Sequence, residues 1–174
     1  TDKSNWSNYY HDNNYSLLAL KNKKNIVSSM IFKLNPKTVW DLGSNTGMFS
    51  HLNALKSTVI LSLDNDPMVV ESNYNYCRKN NIRNCLPLVL DLANPSPAIG
   101  WDNQERMAFK ERGEADLILA LALVHHLVVG NNLSFSKIAE FLSKNCKNLV
   151  IEFIPKDDSQ VRILLQNRKD IFAD

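Results

Sequence analysis

Short apolar runs of strand length alternate with longer segments of helical periodicity over residues 36–174. The predicted strands are 38–41, 58–64, 86–91, 116–122 and 149–154. The predicted helices between and after them are about 46–55, 67–80, 134–145 and 158–170. Strands that alternate with helices are joined by right-handed crossovers, so the pattern predicts an α/β fold with a mostly parallel sheet. Because Leu117–Leu123 is apolar on both faces, we expect helices on both sides of that sheet.

A different pattern occupies residues 1–35, which we predict to form a helical and aromatic lid segment in front of the α/β domain at 36–174. Its aromatic residues, which either cover a ligand or fill the core, are Trp6, Tyr9, Tyr10 and Tyr15. The apolar stripe of its predicted helix, expected to face the sheet or a ligand, consists of Ile26, Val27, Met30, Ile31 and Leu34. The lysines of the same helix, predicted to lie on a solvated face, are Lys21, Lys23 and Lys24.

The first predicted strand runs into a carboxylate and a glycine-rich turn, Asp41-Leu42-Gly43-Ser44-Asn45-Thr46-Gly47. An α/β sheet builds a nucleotide pocket at this place, with the ligand at the carboxyl end of the strand. The spacing D-x-G-x-x-x-G puts Asn45 where a dinucleotide fold needs its second glycine, and no Lys-Ser or Lys-Thr pair follows. Asn45 is still able to adopt the left-handed conformation of a tight turn. A tight turn without a diphosphate contact suits S-adenosylmethionine.

Residues 41–47 resemble motif I of the class I S-adenosylmethionine-dependent methyltransferases, and the order of segments over about 36–155 fits the same family. The resemblance implies a Rossmann-like sheet of order 3-2-1-4-5, usually closed by two more strands. Because the chain stops at Asp174, we expect strands six and seven to be missing and a sheet edge to be exposed. The turn residues implied to contact the cofactor are Asp41, Gly43, Ser44, Asn45 and Gly47. Backbone N–H groups of this turn and of the start of the following helix are expected to receive the cofactor's carboxylate.

Two further acids follow predicted strands. Asp64 ends strand two, 21 residues after Gly43 (64 − 43), near the separation at which a dinucleotide fold places its ribose-binding acid. The resemblance assigns Asp64 to the ribose hydroxyls and Asn65 to the adenine ring, whereas Asp66 is read as a helix cap before Pro67. At the end of strand three, it implies that Asp91 accepts from the adenine amine and that the Leu92 backbone lies beside the ring.

The segment after strand four is expected to lie beside the reactive sulfonium. The resemblance implies cofactor contacts from Ala120 and Leu121. The Asn/Asp-Pro-Pro-aromatic motif of adenine methylation is absent, and no cysteine fits the nucleophile of cytosine methylation. His125 or His126 therefore becomes the candidate base, since a histidine near neutral pKa takes a proton from a hydroxyl or carbon acid. Neither is ranked above the other. We expect no metal site there, because adjacent histidines on one element point apart.

Bulk composition restricts the partners. The net charge of +2 gives no electrostatic argument for nucleic acid, and the longest apolar run, Leu117–Val124, is too short to span a membrane. Cys77, Cys85 and Cys146 lack C-x-x-C spacing, which predicts free thiols in a reducing, cytoplasmic compartment and no zinc site. No signal peptide is visible in the first residues. The oligomeric state does not follow from the sequence.

The hypothesis is therefore an S-adenosylmethionine-dependent methyltransferase acting at oxygen or carbon of a small molecule, with S-adenosylhomocysteine as product. Two alternatives stay open: an RNA methyltransferase, and a cofactor-binding domain that regulates or scaffolds a partner without turnover. The segments 125–127 and 151–161 are also similar to segments of bacterial methyltransferases, some of them labelled as nodulation proteins. That similarity fixes no substrate.

Overall fold

A five-stranded parallel sheet organises the computed structural model, which describes residues 16–52 and 58–166. The strands are β1 (Thr38–Leu42), β2 (Val59–Asp64), β3 (Cys85–Val89), β4 (Ala115–Ala120) and β5 (Cys146–Ile151). The α-helices are α1 (Leu17–Leu34), α2 (Met48–Leu52), α3 (Pro67–Lys79), α4 (Phe135–Asn145) and α5 (Ser159–Gln166). The strand order is β3-β2-β1-β4-β5, with every pairing parallel. The predicted fold class and strand order are confirmed.

Alternate residues of the central strands feed two separate apolar clusters, one on each face of the sheet. On one face, Val39 and Leu117 pack with Val27 of α1, Phe49 of α2 and Cys77 of α3. The opposite face is covered by α4 and the 92–114 connection, through the cluster of Trp40, Leu42, Ile118, Phe109, Ile138 and Leu142. Successive strand residues point to opposite faces, so a strand covered on both sides presents apolar side chains to both layers of helices. The predicted cover on both faces is confirmed.

Several predicted strand ends differ from the structure. β3 stops at Val89, so Asp91 lies beyond the strand, and β4 stops at Ala120 although the apolar run continues. β5 was the least accurate prediction: it begins at Cys146 and ends at Ile151. Polar Lys147 and Asn148 are exposed in this edge strand, so its first half lacks the apolar signal of a buried strand.

α1 contacts the sheet along a narrower stripe than the sequence predicts. Val27 and Ile31 are buried, whereas the predicted core residues Ile26, Met30 and Leu34 are 53%, 42% and 40% exposed. A single i, i+4 row therefore meets the sheet. The aromatic residues Trp6, Tyr9, Tyr10 and Tyr15 lie outside the described residues.

Both edges of the sheet are accessible within the described part of the chain. Leu86 and Leu88 of β3, and Leu149 and Ile151 of β5, are each at least 39% exposed. Pro87 lies in β3, where an edge position tolerates its missing backbone donor. Residues 16–52 and 58–166 contain no sixth or seventh strand.

Candidate active site

The turn after β1 places three residues in the left-handed region. Gly43, Asn45 and Gly47 have φ angles of 69°, 51° and 81°. Asn45 therefore takes the conformation predicted for it. A Cβ at Gly47 would lie 2.5 Å from the Asn73 amide atoms, and one at Gly43 would lie 2.9 Å from Leu123. Both glycines thus permit close packing as well as the turn.

The backbone donors of this turn are engaged inside the protein. The N–H groups of Gly43 and Ser44 donate to Leu63 O, and Asn45 N donates to Asp64 Oδ2 over 2.8 Å. Thr46 N donates to Asn45 Oδ1, and Gly47 N donates to Ser44 O. The five N–H groups of the turn therefore have partners within the protein, and the expectation that the turn and the helix start receive a cofactor carboxylate stays a prediction.

Asp41 is the end of a buried hydrogen-bonded chain. Ser50 Oγ donates to Asp41 Oδ2 over 2.6 Å and lies 2.9 Å from Ser62 Oγ. Asn73 Nδ2 donates to Ser62 Oγ over 2.7 Å, and Asn73 Oδ1 lies 2.7 Å from His51 Nε2. Burial raises the pKa of Asp41 to about 7, and the Ser50 hydrogen bond opposes that rise. A single direction of donation, from His51 toward Asp41, satisfies every member.

Asp64 fixes the position of the turn as well as facing the cleft. Its Oδ2 accepts from Asn45 N, and its Oδ1 accepts from Asp66 N over 3.0 Å. Burial is the main cause that raises the Asp64 pKa. Asp66 caps α3 through Met68 N, with Pro67 in the first turn, as predicted. A carboxylate has about four acceptor positions, so Asp64 retains capacity for ligand hydroxyls.

One cleft of about 350 Å³ gathers most of the predicted site at the carboxyl ends of the strands. The predicted residues that line it are Asp41, Gly43, Ser44, Asn45, Asp64, Asn65, Asp91, Leu92, Leu121 and His126. Gly47, Ala120 and His125 do not line it. Gly47 packs against Asn73, and Ala120 lines a smaller apolar cavity of about 170 Å³ beside the cleft. The two cavities share Leu92, Leu123 and Leu127.

A polar atom inside the cleft fits a bound polar ligand. Ser44 is 3% exposed, and its Oγ has no hydrogen-bond partner among the described residues. An unsatisfied buried hydroxyl costs free energy that a ligand atom recovers. With the Asp64 and Asp91 carboxylates on the same wall, the donor and acceptor set fits a cofactor with amino-acid, ribose and adenine parts.

Lys23 of α1 lines the cleft, although the sequence pattern does not predict it as a site residue. Its Nζ lies 2.7 Å from Glu152 Oε2, with side chains only 15% and 21% exposed, and 5.0 Å from the Phe49 ring centroid. The prediction that Lys23 lies on a solvated face is wrong, because Leu20, Val27 and Ile31 turn this side of α1 toward the sheet. Other lining residues not predicted include Phe49, Ala122 and Leu164.

Irregular backbone follows β4 at the other wall of the cleft. Ala122 has a φ of 50°, and His126–Gly130 form a π-helical turn. Left-handed non-glycine residues and π-turns both concentrate at functional sites. The His125 and His126 rings contact each other, with centroids 4.1 Å apart, so the expectation that they point apart is wrong.

The two histidines differ in access to the cleft. His126 lines it, whereas His125 Nδ1 is buried with no partner among the described residues. Burial, assisted by His125, lowers the pKa of His126 to about 4, and burial also lowers that of His125. The premise of a near-neutral histidine is therefore wrong: His126 is an uncharged imidazole at neutral pH. The metal-ligand cluster found among the described residues lies elsewhere, at His51, Cys77 and Cys85.

Comparison with known proteins identifies relatives but no matching protein-family model. The chain is 36% identical over 171 residues to nodulation protein NoeA of Rhizobium meliloti, which covers 97% of this chain and 36% of the relative. It is 29% identical over 110 residues to a ribosomal protein L11 methyltransferase of Herpetosiphon aurantiacus, covering 59% of this chain and 34% of the relative. The chain thus spans about a third of the length of these relatives.

Solved structures share the fold. A crystal structure of WbdD superposes with a TM-score of 0.62 at 18% identity, covering 87% of this chain and 32% of that one. WbdD is described as a bifunctional kinase-methyltransferase. A crystal structure of an O-methyltransferase candidate from Nostoc punctiforme gives 0.59 at 15% identity, covering 89% and 42%. At these identities the likeness establishes the fold. This is the fold that the resemblance to class I methyltransferases implies, and the match to NoeA confirms the predicted similarity to nodulation proteins.

Proposed function

Because the chain is homologous to nodulation protein NoeA and has the class I methyltransferase fold, we propose that it is an S-adenosylmethionine-dependent methyltransferase acting at oxygen or carbon of a small molecule. The observation that carries the proposal is the convergence of Ser44, Asp64 and Asp91 on one cleft at the carboxyl ends of parallel strands. Ligands of open α/β sheets bind at this edge. The cofactor, when bound, supplies an electrophilic methyl group on its sulfonium.

The cofactor-binding assignments come from the family resemblance, and the lining of the cleft supports them. Asp64 accepts from the ribose hydroxyls, and Asn65 lies beside the adenine. Asp91 accepts from the adenine amine and is held by its own contact, since its Oδ1 accepts from Ala93 N over 2.8 Å. The Leu92 and Leu121 side of the cleft supplies apolar contact. Gly47 and Ala120 act indirectly, by packing behind the turn and behind the cleft wall.

Lys23 is the residue we assign to the cofactor's carboxylate. The turn donors are engaged within the protein, and Lys23 lines the cleft with three N–H donors. Its pairing with Glu152 holds the ammonium group in place across α1 and the segment after β5. Asp41 also lines the cleft, and its ionised form offsets the positive charge of the cofactor.

His126 is the better candidate of the two histidines for a role in transfer. As an uncharged imidazole it accepts a hydrogen bond from an acceptor hydroxyl, and proximity in a water-excluding cleft supplies most of the remaining advantage. Leu123 and Leu127 flank it and exclude water. His125, away from the cleft, orients His126 through ring contact.

The charge of the cleft disfavours a polyanionic acceptor. Asp64 and Asp91 line the cleft together with Asp41, whose pKa is raised to about 7, and the lining lysine, Lys23, is itself paired with Glu152. RNA at this mouth would meet repulsion rather than a basic track. A small molecule is therefore the acceptor that we propose. The three free cysteine thiols are consistent with a reducing, cytoplasmic compartment. In addition, none of the described helices is both long and apolar enough to cross a bilayer.

A methyl-transfer assay tests the proposal. The chain is incubated with S-adenosylmethionine carrying a labelled methyl group, together with a panel of hydroxylated small molecules and, separately, RNA. Label on a small molecule, lost in the Asp64→Ala variant, is the expected result. Label on RNA selects the RNA alternative instead. Cofactor binding without label on any acceptor favours the regulatory alternative. The division of the chain into a lid segment at 1–35 and a domain at 36–174 also remains a proposal. Removing residues 1–15 and repeating the assay tests whether the first part of the lid segment contributes to methyl transfer.

A further inference from the structure

Two sulfur donors and one nitrogen donor converge outside the cleft, on the face of the sheet that α1, α2 and α3 cover. His51 near the end of α2, Cys77 in α3 and Cys85 at the start of β3 have donor atoms that all lie within 4.8 Å of one another. Cys77 and Cys85 are buried, and His51 is partly exposed. None of the three lines the cleft. The residues are 26 and 8 positions apart along the chain (77 − 51 and 85 − 77), so no sequence spacing of a metal motif reveals them.

The geometry matches a tetrahedral thiolate site. Zn–S bonds of about 2.3 Å and Zn–N bonds of about 2.0 Å set the S···N separation at about 3.5 Å in a tetrahedron. His51 Nε2 and Cys77 Sγ lie 3.5 Å apart. Asn73 Oδ1 is 3.5 Å from the same sulfur and 2.7 Å from the same nitrogen, the latter a hydrogen-bond distance. Two ligands about 2.0 Å from a tetrahedral ion are about 3.3 Å apart, so Asn73 reaches the fourth position once this N···O contact lengthens by roughly 0.6 Å. Tyr76 stacks on the His51 ring, with centroids 4.3 Å apart, and fixes its orientation.

From this convergence we propose that His51, Cys77 and Cys85 bind a thiophilic divalent d-block cation, with Zn²⁺ as its representative and Asn73 Oδ1 as fourth ligand. Charge selects the divalent class. Two thiolates and a neutral imidazole with a 2+ ion form a neutral site, whereas Cu⁺ would leave a net negative charge among buried side chains. The prediction of no zinc site, which rested on the lack of C-x-x-C spacing, is revised by this proposal.

The proton balance of binding is defined. Zn²⁺ forms two Zn–S bonds, and Cys77 and Cys85 each release one proton to solvent. The His51 imidazole keeps one proton, which moves from Nε2 to Nδ1 so that Nε2 binds the metal. Burial raises the pKa of both thiols and lowers that of His51, so the uncomplexed site holds neutral thiols. Affinity therefore rises as pH rises, by up to 100-fold per pH unit when two protons are released.

The consequence of binding is structural. The cation would link α2, α3 and β3 through three ligands, one from each element. It also takes the Nε2 atom that donates to Asn73 at the outer end of the chain leading to Asp41. Occupation of this site therefore shifts the thermal midpoint upward without adding a group to the cleft.

Cobalt titration of the reduced, chelator-treated full chain tests the site. One equivalent of Co²⁺ is expected to give a sulfur-to-cobalt charge-transfer band that Zn²⁺ abolishes, with about two protons released per ion. The Cys85→Ser and Cys77→Ser variants lose the band, His51→Gln binds at least tenfold more weakly, and the Cys146→Ser control keeps it. Absence of the band in the folded native chain, or its survival in both cysteine variants, overturns the proposal.

A second measurement covers variants that fail to fold. X-ray absorption of the unmodified, Zn²⁺-loaded chain counts the ligand types directly. Two sulfur ligands with one or two nitrogen or oxygen ligands are expected. Coordination by nitrogen and oxygen alone would show adventitious binding elsewhere and would overturn the site.

Discussion

The two halves of the sheet differ in how their polar groups are held. Beside β1, β2 and β3, Asp41 and Asp64 have hydrogen-bond partners at defined distances, and the turn between them is fixed by its own donors. Beyond β4, His125 Nδ1 lacks a partner among the described residues, and Ala122 adopts a left-handed conformation. The first half, the proposed cofactor side, holds these two carboxyl groups in hydrogen bonds and leaves one buried hydroxyl, Ser44 Oγ, without a partner among the described residues. The second half combines a left-handed Ala122 with a buried His125 nitrogen that lies outside the cleft, so its polar groups are held less completely.

The largest expected effect comes from the turn. Gly47→Ala adds a Cβ about 2.5 Å from Asn73 at a φ of 81°. Backbone strain and overpacking together should lower the free energy of unfolding by about 2–4 kcal/mol, measured by urea titration. Gly113→Ala is the matched control, since Gly113 has a φ of 100° and nothing within 4 Å of an added Cβ. Equal losses in both variants would mean that the Asn73 contact contributes nothing.

The second prediction tests whether Lys23 of α1 contributes to the proposed cofactor site. Lys23→Met should weaken S-adenosylhomocysteine binding about tenfold and lower the unfolding free energy by about 1–3 kcal/mol, because the mostly buried Glu152 carboxylate loses its contact with the Lys23 ammonium group. The double variant Lys23→Met/Glu152→Gln should recover stability but not affinity. Lys144→Met, in the exposed pair with Glu140, is the control and should change neither quantity measurably. Recovery of affinity in the double variant would rule out a Lys23–carboxylate contact.

The pH dependence of stability should have opposite signs in the two halves. Asp41 keeps its proton in the folded chain up to a pKa of about 7, against an ordinary value of 3.8. The folded state thus binds the extra proton between these values, and the unfolding free energy falls as pH rises through that window, by up to about 1.4 kcal/mol per pH unit. Asp41→Asn should remove this slope, and the difference between the two proteins should be clearest in the middle of the window between 3.8 and about 7. An unchanged slope would show that Asp41 is ionised in the fold.

His126 should give the smaller and opposite effect. Its pKa falls from 6.5 to about 4, so the unfolded chain binds the extra proton between these values. The unfolding free energy should therefore fall as pH falls below 6.5, and His126→Gln should reduce that loss. Thermal unfolding of both proteins at pH 5 and pH 7 measures it. A loss of the same size in the variant would assign the acid sensitivity to other groups.

The sequence predicts the location of site residues best where their spacing along strands and turns fixes their relative positions. Asp41, Gly43, Asn45 and Asp64 occupy strand ends and a turn, and their spacing fixes their relative positions within a parallel sheet. Lys23 reaches the cleft from α1, and its partner Glu152 is 129 residues away, so no local pattern links them. The burial that lowers the His126 pKa likewise comes from tertiary packing and is invisible in the dipeptide His125-His126.

The central claim, that the cleft is an S-adenosylmethionine site, is tested most directly by calorimetric titration of the chain with S-adenosylhomocysteine. The account predicts one site of micromolar affinity, weakened at least tenfold by Asp64→Ala. The Asp66→Ala control should lose only its helix cap, about 1 kcal/mol of stability, and keep the affinity. No heat of binding to the folded chain, or equal affinity in native and Asp64→Ala proteins, would contradict the account.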